Sequence, residues 1–427
     1  MGGASLIPQT VVTGAWLADA SERVRYLAAL EGEQDRLAGL GMESRSKGLV
    51  VAEADPVLFC AKFFAGLASD YPLWLRSHSP SRDDEKRFTA IFDTGFARPP
   101  GSLFLATGGT SGGLRFTRHS WAGLQAAVLD LQTGIGARSL PSWCCLPLRH
   151  VAGLMQVIRA VVSGADVFFG KYRDLATEAF STDLIEDRFV SLVPTQLARL
   201  MPSSRAVAHL RTAAAVFVGG GPLQPDLARL AREAKLPIAP TYGTTETAGM
   251  VTLLSPELFL SGCGGVGSAL PGIELDFDEA GSLRIRSDGL CLGYDDRDFL
   301  EGAWFQTADF GFWDDHGSLR IEGRRDRLIN TGGVKVDPDR VERSILETEM
   351  VDKCFVTSIP DAEWGQRLVA FCTPVAVNLR EVEDAVRDRL EDSSVPKLFL
   401  SVDQLPLDEM DKPDAIAIAS ALKDCES

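Results

Sequence analysis

The apolar positions of this chain change rhythm twice. From Trp16 to Leu40, WLADASERVRYLAALEGEQDRLAGL sets apolar residues at helical spacing between charges, which predicts helix. GLVVAEA then reads as a short buried strand, and DPVLFCAKFFAGLAS as a helix whose N-cap is Asp55. SLFLATGG, SWCCLPL, ADVFFG, FVSLVP and AAAVFVGGG follow as apolar runs of strand length. Between them, SWAGLQAAVLDLQTG, AGLMQVIRAVVSG, a Thr195-led TQLARL and PDLARLAREAK read as helices. Strand–helix alternation of this kind predicts an α/β architecture with largely buried strands.

After Gly262 the texture becomes that of a small β-subdomain. GIELDFD, GSLRIRS and GSLRIEG alternate along short strands separated by Gly and Asp turns. After Gly323 it changes again, with helices in DPDRVERSILETE and LREVEDAVRDRLED and strands in CFVTSIP and RLVAFCTPV. The expected fold is a large N-terminal α/β domain with buried sheets and a small β-subdomain, residues 1–326, followed by a small C-terminal α+β domain, residues 327–427. A length of 427 residues agrees with more than one core.

Composition narrows the function classes. A hydrophobic fraction of 45% and a charged fraction of 24% describe a globular chain. The formal net charge of -16 disfavours nucleic acid and anionic membranes as partners. The eight cysteines form no C-x-x-C pair, and several sit in apolar runs, as reduced thiols of the cytoplasm do. The start, MGGASLIPQTVV, lacks a basic segment and a long apolar run, and no apolar stretch reaches the length of a membrane span. The expectation is a cytoplasmic protein, compatible with a homo-oligomer.

Five loops carry groups suited to chemistry. ATGGTSGGLRFTRHS, Ala106 to Ser120, offers backbone N–H groups at Gly109 and Gly112, hydroxyls at Thr107, Thr110 and Ser111, and the forked cation of Arg115. Such a set can hold phosphate oxygens, although neither a G-x-x-x-x-G-K-[ST] nor a G-x-G-x-x-G run occurs. FVGGGPLQPD, with Gly219, Gly220, Gly221 and Pro222, permits close approach of a flat ligand. TYGTTETAG brings Thr241, Tyr242, Gly243, Thr244 and Thr245 together with Glu246, a hard oxygen ligand suited to Mg²⁺. WFQTADFGFWDDHGSLRIEGRRDRLINTGG carries Asp309 and Arg324, which suit a ribose diol or a phosphate. LPLDEMDKPD holds Lys412 among acids. Taken singly, each loop also reads as a plain turn, a solvated surface segment or a weak surface ion pair.

In this order, the five loops resemble the superfamily of acyl-CoA synthetases, adenylation domains and firefly-type luciferases. ATGGTSGGLRF is similar to the family's T-S-G-[ST]-T-G-x-P-K-G phosphate loop, VGGGP to its adenine loop, and YGTTE to Y-G-x-T-E. The Asp309–Arg324 segment resembles T-G-D…G-R-x-D, and LPLDEMDKPD resembles L-P-x-T-x-x-G-K-x-D. The resemblance covers residues from about 100 to 415. Gly108, Leu114, Arg115 and Phe116 stand where the family has Ser, Pro, Lys and Gly, Ala308 replaces a Gly, and Asp411 places an anion beside Lys412.

The resemblance implies an enzyme that uses ATP, Mg²⁺ and coenzyme A to turn a small carboxylic acid into an acyl-AMP and then a thioester. It assigns Thr107, Gly109, Thr110, Ser111, Gly112 and Arg115 to the β- and γ-phosphates, Glu246 to Mg²⁺, and Thr245 to the α-phosphate. Gly219 to Gly221 and Tyr242 fall to the adenine, with Pro222, Thr241, Gly243 and Thr244 as further cofactor-binding residues, Asp309 and Arg324 to the ribose, and Lys412 to the reacting carboxylate. It also implies a mobile C-terminal domain that turns about a hinge at Asp326 and presents Gly332 and Gly333 to coenzyme A. Within the superfamily, CLPLRHVAGL, VSLVPTQLARL, GRRDRLINTGGVKVDPDRVE and PDAEWGQRLVAF are similar to the o-succinylbenzoate–CoA ligases of menaquinone synthesis. His150, Thr195, Thr247 and Ser268 are then the expected substrate groups, with Arg149 a cation beside the pocket. Other aryl- or acyl-CoA ligases, carrier-loading adenylation enzymes and a non-catalytic nucleotide-binding relative are the alternatives.

Overall fold

A computed structural model describes residues 9–40, 46–94, 98–109, 113–299, 302–361, 363–374 and 376–405. Thr110, Ser111, Gly112 and Lys412 lie outside the described residues.

The first helices form where the caps predict them. Asp19 accepts from the Ser21 and Glu22 amides at 2.7 and 3.0 Å and starts the helix Ala20–Ala38. Asp55 accepts from Val57 and Leu58 at 2.9 and 3.1 Å, and Pro56 takes the first helical position of Pro56–Ala68, where its missing N–H costs nothing. That helix buries Phe59, Phe63 and Phe64.

A seven-stranded sheet organises the larger part of the chain. Its strands are β5 (Ser142–Cys144), β6 (Val167–Phe169), β7 (Phe189–Leu192), β8 (Ala215–Val218), β9 (Ile238–Thr244), β10 (Gly249–Leu253) and β11 (Ser268–Ala269), in the order β11-β10-β9-β8-β7-β5-β6. From β6 to β9 all pairings are parallel, while β10 runs antiparallel to both its neighbours. Side chains alternate between two cores. Cys144, Phe217 and Ala239 join one with the helices Trp121–Ile135 and Val151–Ser163. Trp143, Val190, Val216 and Ile238 join the other with Pro194–Leu200, Ser204–Arg211 and Pro225–Glu233. Helices on both faces explain why these strands read as unbroken apolar runs.

A second sheet has the order β1-β2-β3-β4-β14, from β1 (Leu49–Val51), β2 (Leu73–Leu75), β3 (Leu103–Gly109), β4 (Gly113–His119) and β14 (Gly293–Tyr294). Here the structure departs from the expected loop between Ala106 and Ser120. Most of that segment is an antiparallel hairpin in which Thr107 faces Arg115 and Gly109 faces Gly113. The alternation in LRFTRH, with Phe116 buried, carries the second strand.

Four further strands, β12 (Glu274–Phe277), β13 (Ser282–Arg286), β15 (Phe305–Trp313) and β16 (Leu319–Arg324), make the small sheet expected after Gly262. The hairpin β17 (Ile329–Thr331) and β18 (Val334–Val336) follows, and then the sheet of β19 (Lys353–Asp361), β20 (Gly365–Thr373) and β21 (Leu398–Ser401) with the helices Pro338–Leu346 and Leu379–Arg387. The chain divides into two compact units, one of residues 1–275, 285–305 and 313–319, the other of 276–284, 306–312 and 320–427. Among the described residues no helix is long and apolar enough to cross a membrane, and the seven described cysteines are all free.

Candidate active site

Parallel strands end in loops that open at one edge of their sheet, and this edge is where open α/β sheets bind ligands. Four loops gather there in the first unit, two of them among the five predicted: Cys145–His150 after β5, Val193–Thr195 after β7, Gly219–Pro222 after β8 and Thr245–Ala248 after β9. Glycine is required where they approach each other. A Cβ on Gly219 would sit 2.5 Å from the Thr241 hydroxyl, and one on Gly243 would fall 1.8 Å from the Gly249 carbonyl. Gly220, Gly221 and Pro222 are exposed, and Pro194 borders Gly221.

The Thr245–Ala248 turn fixes Glu246. The Thr247 hydroxyl accepts from the Thr244 amide at 2.9 Å and reaches the Gly249 carbonyl at 2.7 Å. Thr247 is thus a staple of the turn, with its hydrogen committed inside it, rather than a free substrate donor. Glu246 Oε1 accepts from the Tyr294 hydroxyl at 3.1 Å, and the Glu246 carbonyl accepts from the Cys291 amide at 2.7 Å. The Arg115 guanidinium stands 4.6 Å from the Tyr294 ring centre. The hairpin and the acid turn are therefore joined through a residue that motif reading did not single out. Tyr242 presents its ring from β9, its amide bonded to the Thr252 hydroxyl at 3.2 Å. Behind Thr245, His119 is fully buried, and burial pushes its pKa down to about 4, the Thr245 backbone opposing the shift.

The other predicted substrate residues divide. His150 is the N-cap of Val151–Ser163 but makes no side-chain cap bond. Thr195 lies in the first turn of its helix with a buried hydroxyl that has no partner, and the Thr244 hydroxyl is in the same condition. Ser268 is exposed on the edge strand β11, away from these loops in the sheet order. Gly153 is packed against the chain before it, since a Cβ there would meet the Pro147 carbonyl at 2.3 Å. Arg149 is half-buried.

Two polar residues missed in the sequence lie deeper on the helix that begins after His150. Gln156 and Arg159, both buried, leave Oε1 and Nη1 without partners. Arg159 lies 5.6 Å from the Phe217 ring on β8, two residues before Gly219. Met155, one turn earlier, borders Gly249. Burial lowers the Arg159 pKa to about 10, so the group stays cationic at neutral pH, and no ion pair to it occurs among the described residues. The signal available in sequence was the pair of polar residues three apart in the otherwise apolar AGLMQVIRAVVSG.

The second unit holds the remaining predicted residues. Asp309 is buried on β15, and Arg324 reaches its Oδ1 at 3.4 Å. The same guanidinium grips Asp326 with two bonds of 2.9 and 2.7 Å, which hold the Asp326 carboxyl below its ordinary pKa. Gly332 and Gly333 form the turn between β17 and β18 with φ of 57° and 83°, the double left-handed turn that tight hairpins favour. A Cβ on Gly332 would fall 2.8 Å from the Trp364 ring.

Comparison with known proteins agrees with this arrangement. Residues 103–294 match the AMP-binding enzyme family, and residues 340–412 match the AMP-binding enzyme C-terminal domain, together well over half of the chain. A 2-succinylbenzoate–CoA ligase of Listeria monocytogenes is 29% identical over 70% of this chain, and the chain spans 65% of that relative's length. The corresponding ligase of Bacillus subtilis is 26% identical over 73% of this chain and 67% of its own. Among solved structures, o-succinylbenzoate CoA synthetase from Bacillus subtilis, in complex with its acyl-adenylate intermediate, superposes with a TM-score of 0.70 at 21% identity, covering 92% of this chain and 91% of that one. An ATP-bound chimera, RpMatB-BxBclM, gives 0.72 at 21% identity over 94% of each chain. Family match, sheet order and loop placement agree, and the chain belongs to the AMP-binding enzyme family.

Proposed function

We propose that this protein is an ATP-dependent carboxylate–CoA ligase acting on an aromatic dicarboxylic acid, o-succinylbenzoate. The observation that carries the substrate class is Arg159. A buried guanidinium with an unpaired N–H is costly unless an anion meets it. In the reaction proposed, one carboxylate of the acid is consumed at ATP, so a second is free to supply that anion. The Thr195 hydroxyl, buried and without a partner among the described residues, is a further donor at the loop after β7. The sequence relatives named above are ligases of this acid, which supports the same reading.

In the first half-reaction a carboxylate oxygen displaces pyrophosphate from the α-phosphate of ATP, which requires alignment and charge neutralisation more than covalent help. The residues fit the metal this chemistry needs. Glu246 Oε1 is held by Tyr294, its Oε2 has no protein partner among the described residues, and a single carboxylate with phosphates and waters is how Mg²⁺ is commonly held. When bound, Mg²⁺ neutralises phosphate charge. By motif, Thr107, Gly109 and Arg115 take the terminal phosphates, Thr245 the α-phosphate, Tyr242 and Gly219 to Pro222 the adenine, and Asp309 and Arg324 the ribose. Lys412 is assigned to the attacking carboxylate. In the second half-reaction the coenzyme A thiol displaces AMP, with Asp326 as hinge between residues 1–326 and 327–427 and the Gly332–Gly333 turn at the thiol arm. A cytoplasmic location is part of this reading, supported by the free thiols among the described residues.

The test is pyrophosphate release from ATP and Mg²⁺ with o-succinylbenzoate, benzoate, coumarate and medium-chain fatty acids at equal concentration. A clear preference for o-succinylbenzoate is expected. Preference for a monocarboxylate would reject the acid and keep the ligase, whereas ATP binding without release for any acid would reject catalysis.

A further inference from the structure

Three segments far apart in sequence meet at Tyr294. The strand β14 that carries it is bolted to the hairpin on one side: Asp295 Oδ1 accepts from the Phe116 amide at 2.7 Å, the Asp295 amide donates to the Phe116 carbonyl at 2.9 Å, and the Leu292 amide donates to the Arg118 carbonyl at 2.7 Å. Arg118 and Asp298 close the far end with an ion pair of 2.6 Å. On the other side, the Cys291 amide holds the Glu246 carbonyl. Tyr294 is buried within this frame, and Phe299 packs edge-on against its ring at 5.2 Å. Its two polar faces are both used: the hydroxyl donates to Glu246 Oε1 and the ring carries Arg115, with Arg297 approaching at 5.3 Å.

We propose that Tyr294 is a positioning residue that sets the Glu246 carboxylate for the metal and the Arg115 guanidinium for the phosphates, coupling the two through one rigid ring. The proposal rests on the assignment of Glu246 and Arg115 to MgATP made above. The hydroxyl on Oε1 restricts rotation of the carboxylate, and Oε2 has no protein partner among the described residues. The ring face restricts Arg115, whose long side chain is otherwise exposed and free to sample many rotamers.

Tyr294→Phe and Tyr294→Leu separate the two roles. The readout is calorimetric binding of ATP across a Mg²⁺ titration, which requires no acid substrate. Phenylalanine keeps the ring and loses the hydroxyl, so the Mg²⁺ midpoint should rise about 10-fold while ATP affinity at saturating Mg²⁺ stays near wild type. Leucine loses both, so affinity at saturating Mg²⁺ should also fall about 3-fold. A merely structural role would shift melting temperature in both variants and leave the Mg²⁺ midpoint of the folded protein in place. An unchanged midpoint in Tyr294→Phe overturns the proposal for Glu246, and wild-type affinity in Tyr294→Leu overturns it for Arg115. Wild-type protein that binds MgATP yet releases no pyrophosphate with any acid would reject the ligase reading while these midpoints still decide the role of Tyr294. Wild-type protein that binds no ATP overturns both.

Discussion

Arg159 and Arg324 handle charge in opposite ways. Arg324, half-buried in the second unit, is already paired with Asp309 and Asp326, so its charge is neutralised by the protein itself. Arg159, buried on the helix Val151–Ser163, has among the described residues the Phe217 face and an Nη1 without a partner. A paired arginine stabilises its surroundings, and an unpaired buried one destabilises them until a ligand arrives. The contrast teaches that a candidate binding group can be sought in what the fold leaves unsatisfied, since most buried polar groups in folded proteins find partners.

The largest expected effect tests whether the edge of the sheet is catalytic at all. Glu246→Gln keeps the acceptor for Tyr294 but offers Mg²⁺ a poorer ligand, so pyrophosphate release should drop by about 10³-fold with the melting temperature unchanged. Activity that persists at limiting Mg²⁺ would remove the metal from this residue. Next comes Arg159→Met, which replaces a buried cation by an apolar chain of similar length. KM for o-succinylbenzoate should rise about 100-fold, and the unliganded protein should become no less stable. A loss of stability without a change in KM would show that Arg159 serves the core and would erase the contrast drawn above.

His119 gives the same region a dependence on pH. Its folded pKa, about 4, lies below the ordinary value of 6.5, so below that value the unfolded chain binds the proton more readily. Stability must therefore fall as pH drops from 6.5 toward 4 and be fully retained above 6.5, with about 2 kcal/mol lost from this group between pH 7 and pH 5. Denaturant unfolding of wild type and His119→Gln at both pH values measures it, and equal slopes would exclude His119 as the source. The smallest effect belongs to the paired arginine: Arg324→Met should cost about 1 kcal/mol by leaving buried Asp309 without its cation. A stability gain there, matching that of Arg159→Met, would show that the two arginines do not differ.

Alternation of apolar strands and helices was enough to read the α/β class, and the Asp55 cap and the polar loops were legible because each depends on neighbours within a few residues. The order of the five motifs likewise pointed to the AMP-binding family before any strand was paired. Other features depended on distant partners. The segment after Thr110 read as loop because glycines dominate its start, yet pairing with β3 and β14 draws Gly113–His119 into a sheet. Thr247 looked like a substrate donor, but folding turns its hydroxyl inward onto Thr244 and Gly249.

By itself, the sequence determined which groups exist for the chemistry: a carboxylate at Glu246, cations at Arg115 and Lys412, and glycines where loops must approach closely. Those depend on residue type and on spacing along the chain. Only the tertiary structure decided which polar groups are satisfied and which are not. Tyr294 became the link between Arg115 and Glu246, and Arg159 became a buried cation without an anion among the described residues, because hydrogen-bond partners and burial are set by contacts between segments distant in the chain.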